Sequence, residues 1–142
     1  MADLDPLIRY RKHGVDEKQR VLARLYGISE QLEAEKQALI DQMDKEKELA
    51  KQSESVDTAA FLGNYLTNAR KKVDSIDKKR RKLEAEIAVA QEDMRNAFAE
   101  MKKVEITQRK RNERERAEEQ AKEDRDLDEI ALEGYRRKLE ED

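Results

Sequence analysis

Apolar residues recur along this chain at alternating spacings of three and four, the period of a helix that buries one narrow stripe against another helix. In the first third, positions 4, 8, 11, 15, 18, 22, 25, 29, 32, 36, 39, 43, 46 and 50 follow that spacing. Nine of these fourteen are apolar: Leu4, Ile8, Val15, Leu22, Leu25, Leu32, Leu39, Met43 and Ala50. A second stripe runs through 62, 66, 69, 73, 76, 80, 83, 87, 90, 94, 97, 101 and 104, where only Arg80 of thirteen is polar. The two stripes predict two helices. Asp5-Pro6 marks the first start, with Asp as N-cap and Pro at the first helical position, where a missing N–H costs nothing. The pattern lasts to about residue 52. The segment SESVDT at 53–58 is the break, because Ser, Asp and Thr draw backbone groups out of one helix and cap the next. The second helix is expected to begin within 57–64, at about 59, and to run to about 140, since no Pro follows.

A turn near residue 56 makes the two stripes face each other in pairs whose numbers sum to about 112. Val15 then meets Ala97, Leu22 meets Ala90, Leu25 meets Ile87, Leu39 meets Val73 and Met43 meets Ala69. The polar seam positions fall opposite apolar ones: Arg11 opposite Met101, Lys18 opposite Met94, Lys36 opposite Ile76, Glu46 opposite Leu66 and Arg80 opposite Leu32. Sums of 105 or 119 keep the heptad but move the turn out of its polar segment. The prediction is an all-α fold: one domain over 1–142, a long antiparallel two-helix coiled-coil hairpin with a protruding C-terminal helical arm. Val104 meets Ile8 and Gln108 meets Leu4, so the solvated arm should begin at about 107. From Thr107 to Asp126, fourteen of twenty residues are charged, with no Leu, Val, Met or aromatic, as expected of a helix with nothing to pack on. At ~1.5 Å per residue the helices would measure roughly 70 and 120 Å and the arm would project about 50 Å. A second apolar group follows at Leu127, Ile130, Ala131, Leu132, Tyr135 and Leu139. Such a group marks either a binding surface or self-association of the tails.

Composition narrows the chemistry. Charged residues make up 46% of the 142 and aromatics 4%, with four Gly and one Pro. That mix suits long helices and argues against sandwiches, barrels and α/β enzymes, which need turn residues and aliphatic strands. There is no Cys and one His, His13, so thiolate metal sites and acid–base centres lack material. No cofactor is expected, and neither is an enzyme. The start lacks a basic region followed by an apolar one, and the longest apolar runs are four residues, so the expectation is a soluble intracellular chain. Basic and acidic residues number 10 and 12 over 1–56, 11 and 9 over 57–106, and 10 and 13 over 107–142. No segment is basic enough to be a nucleic-acid footprint.

The remaining motifs read as structure. Arg11-Lys12-His13-Gly14 lacks phosphate-loop spacing. Gly14 and Gly27 each cost a helix about 1 kcal/mol against Ala, and mark close approach of another chain or mere tolerance. The basic run KKRRK at 78–82 has no interleaved aromatics and lies opposite Glu33 and Glu35, so it reads as a solvated, ion-paired face. Acidic runs such as Asp126 to Glu129 lack the Gly and loop of a calcium site. Met43, Met94 and Met101 lie on the seam as core filler.

The segment LIRYRKHGVDEKQRVLARL at 7–25 resembles the N-terminal helix of the flagellar export protein FliJ family. FLGNYLTNARKKVDSIDKKRRKLEAEI at 61–87 is similar to that family's second-helix start, and AFAEMKKVEITQRKR at 97–111 with DLDEIA at 126–131 to its C-terminal half. The resemblance covers nearly the whole chain. It implies an antiparallel coiled coil that looks like the central stalk of the rotary ATP synthase, in the cytoplasm and peripheral at the inner face of the cell membrane through the flagellar basal body. It also implies a non-enzymatic part in type III export, serving motility and chemotaxis. The implied partners are the flagellar export ATPase ring, the cytoplasmic domain of the export gate and export chaperones. The family's gate contact lies near the turn, where Leu39 and Tyr65 match, while Glu46 stands where an aromatic is expected. At the other end Leu127, Asp128, Glu129 and Ala131 match the C-terminal motif and are assigned to partner binding. The competing readings are a generic coiled-coil tether or secretion chaperone without an ATPase partner, and a nucleic-acid binder resting on KKRRK.

Overall fold

The computed structural model describes residues 3–53 and 55–141. Two helices, α1 (Asp5–Lys51) and α2 (Val56–Glu141), pack against each other as an all-α hairpin, with no strand among the described residues. The second helix starts at Val56, before the expected window. Ser55 supplies the carbonyl that accepts the Ala59 N–H at 3.3 Å, which makes it the first residue to enter the helical ladder, and the Ser53 and Thr58 hydroxyls meet at 3.1 Å. The chain forms two compact units, Gly14–Ala97 and the pairing of the chain up to His13 with the chain from Phe98 onward.

In the unit Gly14–Ala97, Leu22, Leu25, Leu83 and Ala90 form a buried cluster on which Leu32, Ile87 and Met94 pack. Leu25 and Ile87 therefore share one cluster, as do Leu22 and Ala90. Every seam position from Val15 to Ala97 is buried or half-buried except Lys18, whose flexible stem carries its ammonium out to water. Among the described residues no large side chain is less than 2% exposed. A two-helix seam has no second layer, so its stability comes from many partial burials rather than from a few complete ones.

Two polar seam residues are integrated rather than tolerated. Lys36 Nζ donates to Asp77 Oδ1 at 2.9 Å, and Arg80 Nη1 pairs with Glu33 Oε2 at 2.8 Å. Each cation sits opposite an aliphatic, Ile76 or Leu32, and reaches to the acid next along the partner helix. Both ion pairs thus sum to 113, one more than the seam. Gln91 Nε2 also donates to the Tyr26 hydroxyl at 2.8 Å, a cross-helix bond at the seam's edge.

The other unit is organised around the start of α1. The Leu4 carbonyl accepts the Ile8 N–H at 2.9 Å, so Leu4, not Asp5, is the N-cap. The Asp3 carboxylate accepts the Asp5 N–H at 3.0 Å. Pro6 fits one place further in, because every N–H of the first turn lacks an intrahelical partner. Leu4 N–H donates to Gln108 Oε1 at 2.9 Å, a direct contact at the sum of 112. Met101 is buried, and Ile8, Arg11, Val104, Gln108, Arg111 and Glu115 are half-buried. From Arg116 to Glu141 every residue is exposed. The solvated arm thus begins about nine residues later than residue 107. Helical side chains lean toward the helix N-terminus, so those of Arg111 and Glu115 lie back over the preceding turn.

Candidate partner-binding surfaces

Near the turn, the two residues matched to the gate contact are both half-buried. Leu39 belongs to the seam, opposite Val73 in the register. Tyr65 stands beside Leu66, eight residues from Val73, or about 12 Å along the helix. The structure therefore does not bring Leu39 and Tyr65 into one spot. Leu39 acts as core, and Tyr65 presents part of its ring.

The strongest apolar exposure at this end falls on residues not singled out from sequence. Val56 is 84% exposed, Phe61 67% and Leu49 60%. Beside them an open groove is lined by Lys47, Ala50, Ser53, Ser55, Ala59 and Leu62. A signal for Phe61 existed: an aromatic one place off the stripe, in a chain with two Phe. The seam residue Leu62 beside it accounts for the local period and so masks that signal.

The arm carries the second surface. Leu127, Asp128, Glu129 and Ala131 all lie exposed on about one turn of α2. Ile130, Leu132, Tyr135 and Leu139 are each about 60% exposed or more. Leu127, Ala131, Tyr135 and Leu139 are spaced by four, which lines them up as one ridge of the helix. The Arg137 guanidinium reaches Glu133 at 3.8 Å, and Gln120 Nε2 donates to Asp124 at 3.1 Å. These contacts run along the helix and leave the ridge uncovered.

Two members of the basic run are engaged. Arg80 pairs with Glu33, and Arg81 Nε donates to the Asp77 carbonyl at 3.4 Å. The hydrogen bond from Lys36 holds the Asp77 carboxyl below the usual carboxylate range, against desolvation and with help from the charges of Lys36, Arg80 and Arg81. Glu105 is lowered in the same way, first by its hydrogen bond with Lys102, with Lys12 also contributing. Among the described residues no three or more His, Cys, Asp or Glu are grouped to hold a metal ion. Among the same described residues no helix is long and apolar enough to cross a membrane.

A family model described as flagellar FliJ protein matches residues 1–140. No curated protein and no solved structure matches the chain.

Proposed function

The chain belongs to the flagellar FliJ family, and from that premise we propose that it is a stalk coupling the export ATPase ring to the export gate. Membership gives it a role related to flagellar export. The finer reading assigns three partners: the ATPase ring, the cytoplasmic domain of the gate and export chaperones. It also places the protein at the cytoplasmic face of the membrane through those partners.

The family match over nearly the whole chain carries this reading. Two features of the molecule support it. The arm from Arg116 to Glu141 is helical and exposed at every residue, and its apolar ridge is open to a partner. Near the turn, Tyr65 with the exposed Phe61 offers an aromatic contact for the gate domain. The mechanism is mechanical: an asymmetric helix pair in a symmetric ring favours one arrangement of the ring's subunits over the others. It shifts ring assembly or hydrolysis by the difference in its affinity for those arrangements.

The test is ATP hydrolysis and oligomerisation of the cognate ring, with the full chain and with a chain ending at Arg116. The full chain should raise both, and the shortened chain should fold yet lose the effect. A ring indifferent to the full chain removes the stalk reading and leaves a tether or secretion chaperone without an ATPase partner.

A further inference from the structure

We infer that the outer face of α2 over residues 71–82 docks directly on an anionic lipid surface. Lys71, Lys72, Lys78, Lys79 and Lys82 are all exposed there, and among the described residues none of them is in an ion pair. At about 100° per residue the five fall on one arc of roughly 120°, turned away from the seam. Between positions 61 and 85 that arc otherwise holds Phe61, Asn64, Asn68 and Ser75, so it contains no acid. Asp74 borders it, Asp77 is taken by Lys36 at 2.9 Å, and Glu86 is the next acid on the arc. Arg80 and Arg81, the engaged members of the basic run, lie off the arc.

The hairpin is electrically polarised at this level. Residues 61–82 of α2 carry eight basic side chains and two acids, while residues 30–51 of α1, which face them in the register, carry seven acids and four basic ones. On α1, Glu30, Asp41, Asp44 and Glu48 are exposed and lie on the side away from α2. A negative plane attracts one side of this helix pair and repels the other, which sets a single docking orientation.

The face favours lipid over other anions. Its lysines stand on the convex outside of a helix, so together they meet a flat layer of charge but enclose no single phosphate. Lysine ammoniums are compact point charges on flexible stems, suited to headgroups that move, and they lack the planar fork that reads a fixed carboxylate or phosphate. No aromatic is interleaved among them for base stacking. The apolar member of the arc is Phe61, 67% exposed, in line with Lys79 and about 15 Å from Lys71 toward the turn. A helix held at a membrane surface draws on these two contributions, charge attraction and buried apolar area. The contact goes beyond the placement through partners proposed above and needs none of them, so the two readings fail separately. Substituting the lysines leaves Phe61, Tyr65 and the arm as they are.

Co-flotation of the full chain with vesicles is the test. On phosphatidylcholine vesicles carrying about 30% phosphatidylserine, binding should be strong at about 50 mM salt and weak at about 500 mM, and it should vanish on phosphatidylcholine alone. The triple variant Lys71→Gln, Lys78→Gln, Lys82→Gln should lose about 100-fold in partitioning, at roughly fivefold per lysine. Lys110→Gln, Lys122→Gln, Lys138→Gln removes the same charge from the arm and should cost less than about threefold. All six lysines are exposed, so circular dichroism should show both variants folded. Phe61→Trp supplies the chain's single Trp, and its emission should shift to the blue in the floated protein. Polyglutamate or duplex DNA at the same charge concentration should leave the chain on the vesicles. Absence of flotation at low salt, equal losses in the two triple variants, or an unshifted Trp in floated protein overturns the inference. So does displacement by polyglutamate or DNA, which would give the face to an acidic protein or to nucleic acid.

Discussion

The stretch Gly14–Ala97 and the stretch Arg116–Glu141 are both helical and both dense in charge, yet one buries a core and the other buries nothing. The difference lies in how their apolar residues are spaced. In the first, alternation by three and four keeps one stripe aimed at a facing helix for heptad after heptad. In the second, a run without Leu, Val, Met or aromatic is followed by a ridge spaced by four, which winds around the helix axis rather than following a hairpin partner. Helix as such costs the sequence little in either place. Pairing is what makes one stretch stable and leaves the other available.

The largest break in that comparison comes from truncating an apolar side chain in each stretch. Leu25→Ala or Leu83→Ala opens a cavity in the central cluster and should cost about 2–3 kcal/mol, the low end for buried Leu because the seam is thin. Leu132→Ala in the arm should move stability by less than about 0.5 kcal/mol. Urea unfolding followed by circular dichroism reads both. Similar losses at the two sites would mean that the arm is part of the folded core.

The hairpin was legible because its signal is redundant. Twenty-seven seam positions and one polar break agree on a register, and Leu4 with Gln108 meets it directly. The ends were less legible. The cap of α1 moved from Asp5 to Leu4 because Pro is accepted anywhere in a first turn. The arm began late because periodicity marks where apolar residues stop, not where long polar side chains still lean on their neighbours. At the turn, Leu39 served the seam, while Phe61 and Val56 were exposed without any period to announce them. A patch that packs on nothing within the chain leaves no internal pattern. Only the arm's ridge, isolated by its polar flank, stood out from sequence.

Glycine sharpens the comparison at a smaller scale. A Cβ built at Gly27 or at Gly134 meets nothing within 4 Å, so close approach within the chain explains neither. Gly27→Ala should raise stability by about 1 kcal/mol through helix propensity alone. Gly134→Ala should instead raise helix content in the arm and leave the urea midpoint unchanged, because Gly134 lies on an exposed stretch that adds no burial to the hairpin. A shift of the midpoint by Gly134→Ala would couple the arm to the hairpin.

Smaller still is the Arg80–Glu33 pair, which is partly solvated and should couple by about 0.5 kcal/mol in a double-mutant cycle with alanine. Its larger role is in register. A slip to the sum of 105 sets Lys36 opposite Ala69 with Arg70 next along, and Arg80 opposite Leu25 with Tyr26 next along. A slip to 119 gives Lys36 the acid Glu84 but sets Arg80 opposite Leu39 with Ile40 next along. Only the sum of 112 gives both cations an acid to pair with, so the two ion pairs select one heptad register from three that the apolar stripe permits. Replacing both cations by Met should therefore keep the hairpin folded while broadening its NMR spectrum. A single sharp set of resonances would show that the polar turn fixes the register by itself.

The smallest effect is the acid titration of Asp77. The hydrogen bond from Lys36 lowers its carboxyl in the folded protein, so the unfolded chain binds this proton more readily than the folded one. The stabilisation is present above the unfolded-state value and is lost as pH falls through the lower, folded one. Asp77→Asn should flatten this part of the stability–pH curve below about pH 4. Lys36→Met should move the Asp77 midpoint upward, as followed by carboxyl NMR. Ending the chain at Arg116 should leave that midpoint where it is, since none of the groups that set it belongs to the arm. If the midpoint moves with the arm's removal, the paired stretch feels the unpaired one, and the contrast between them dissolves.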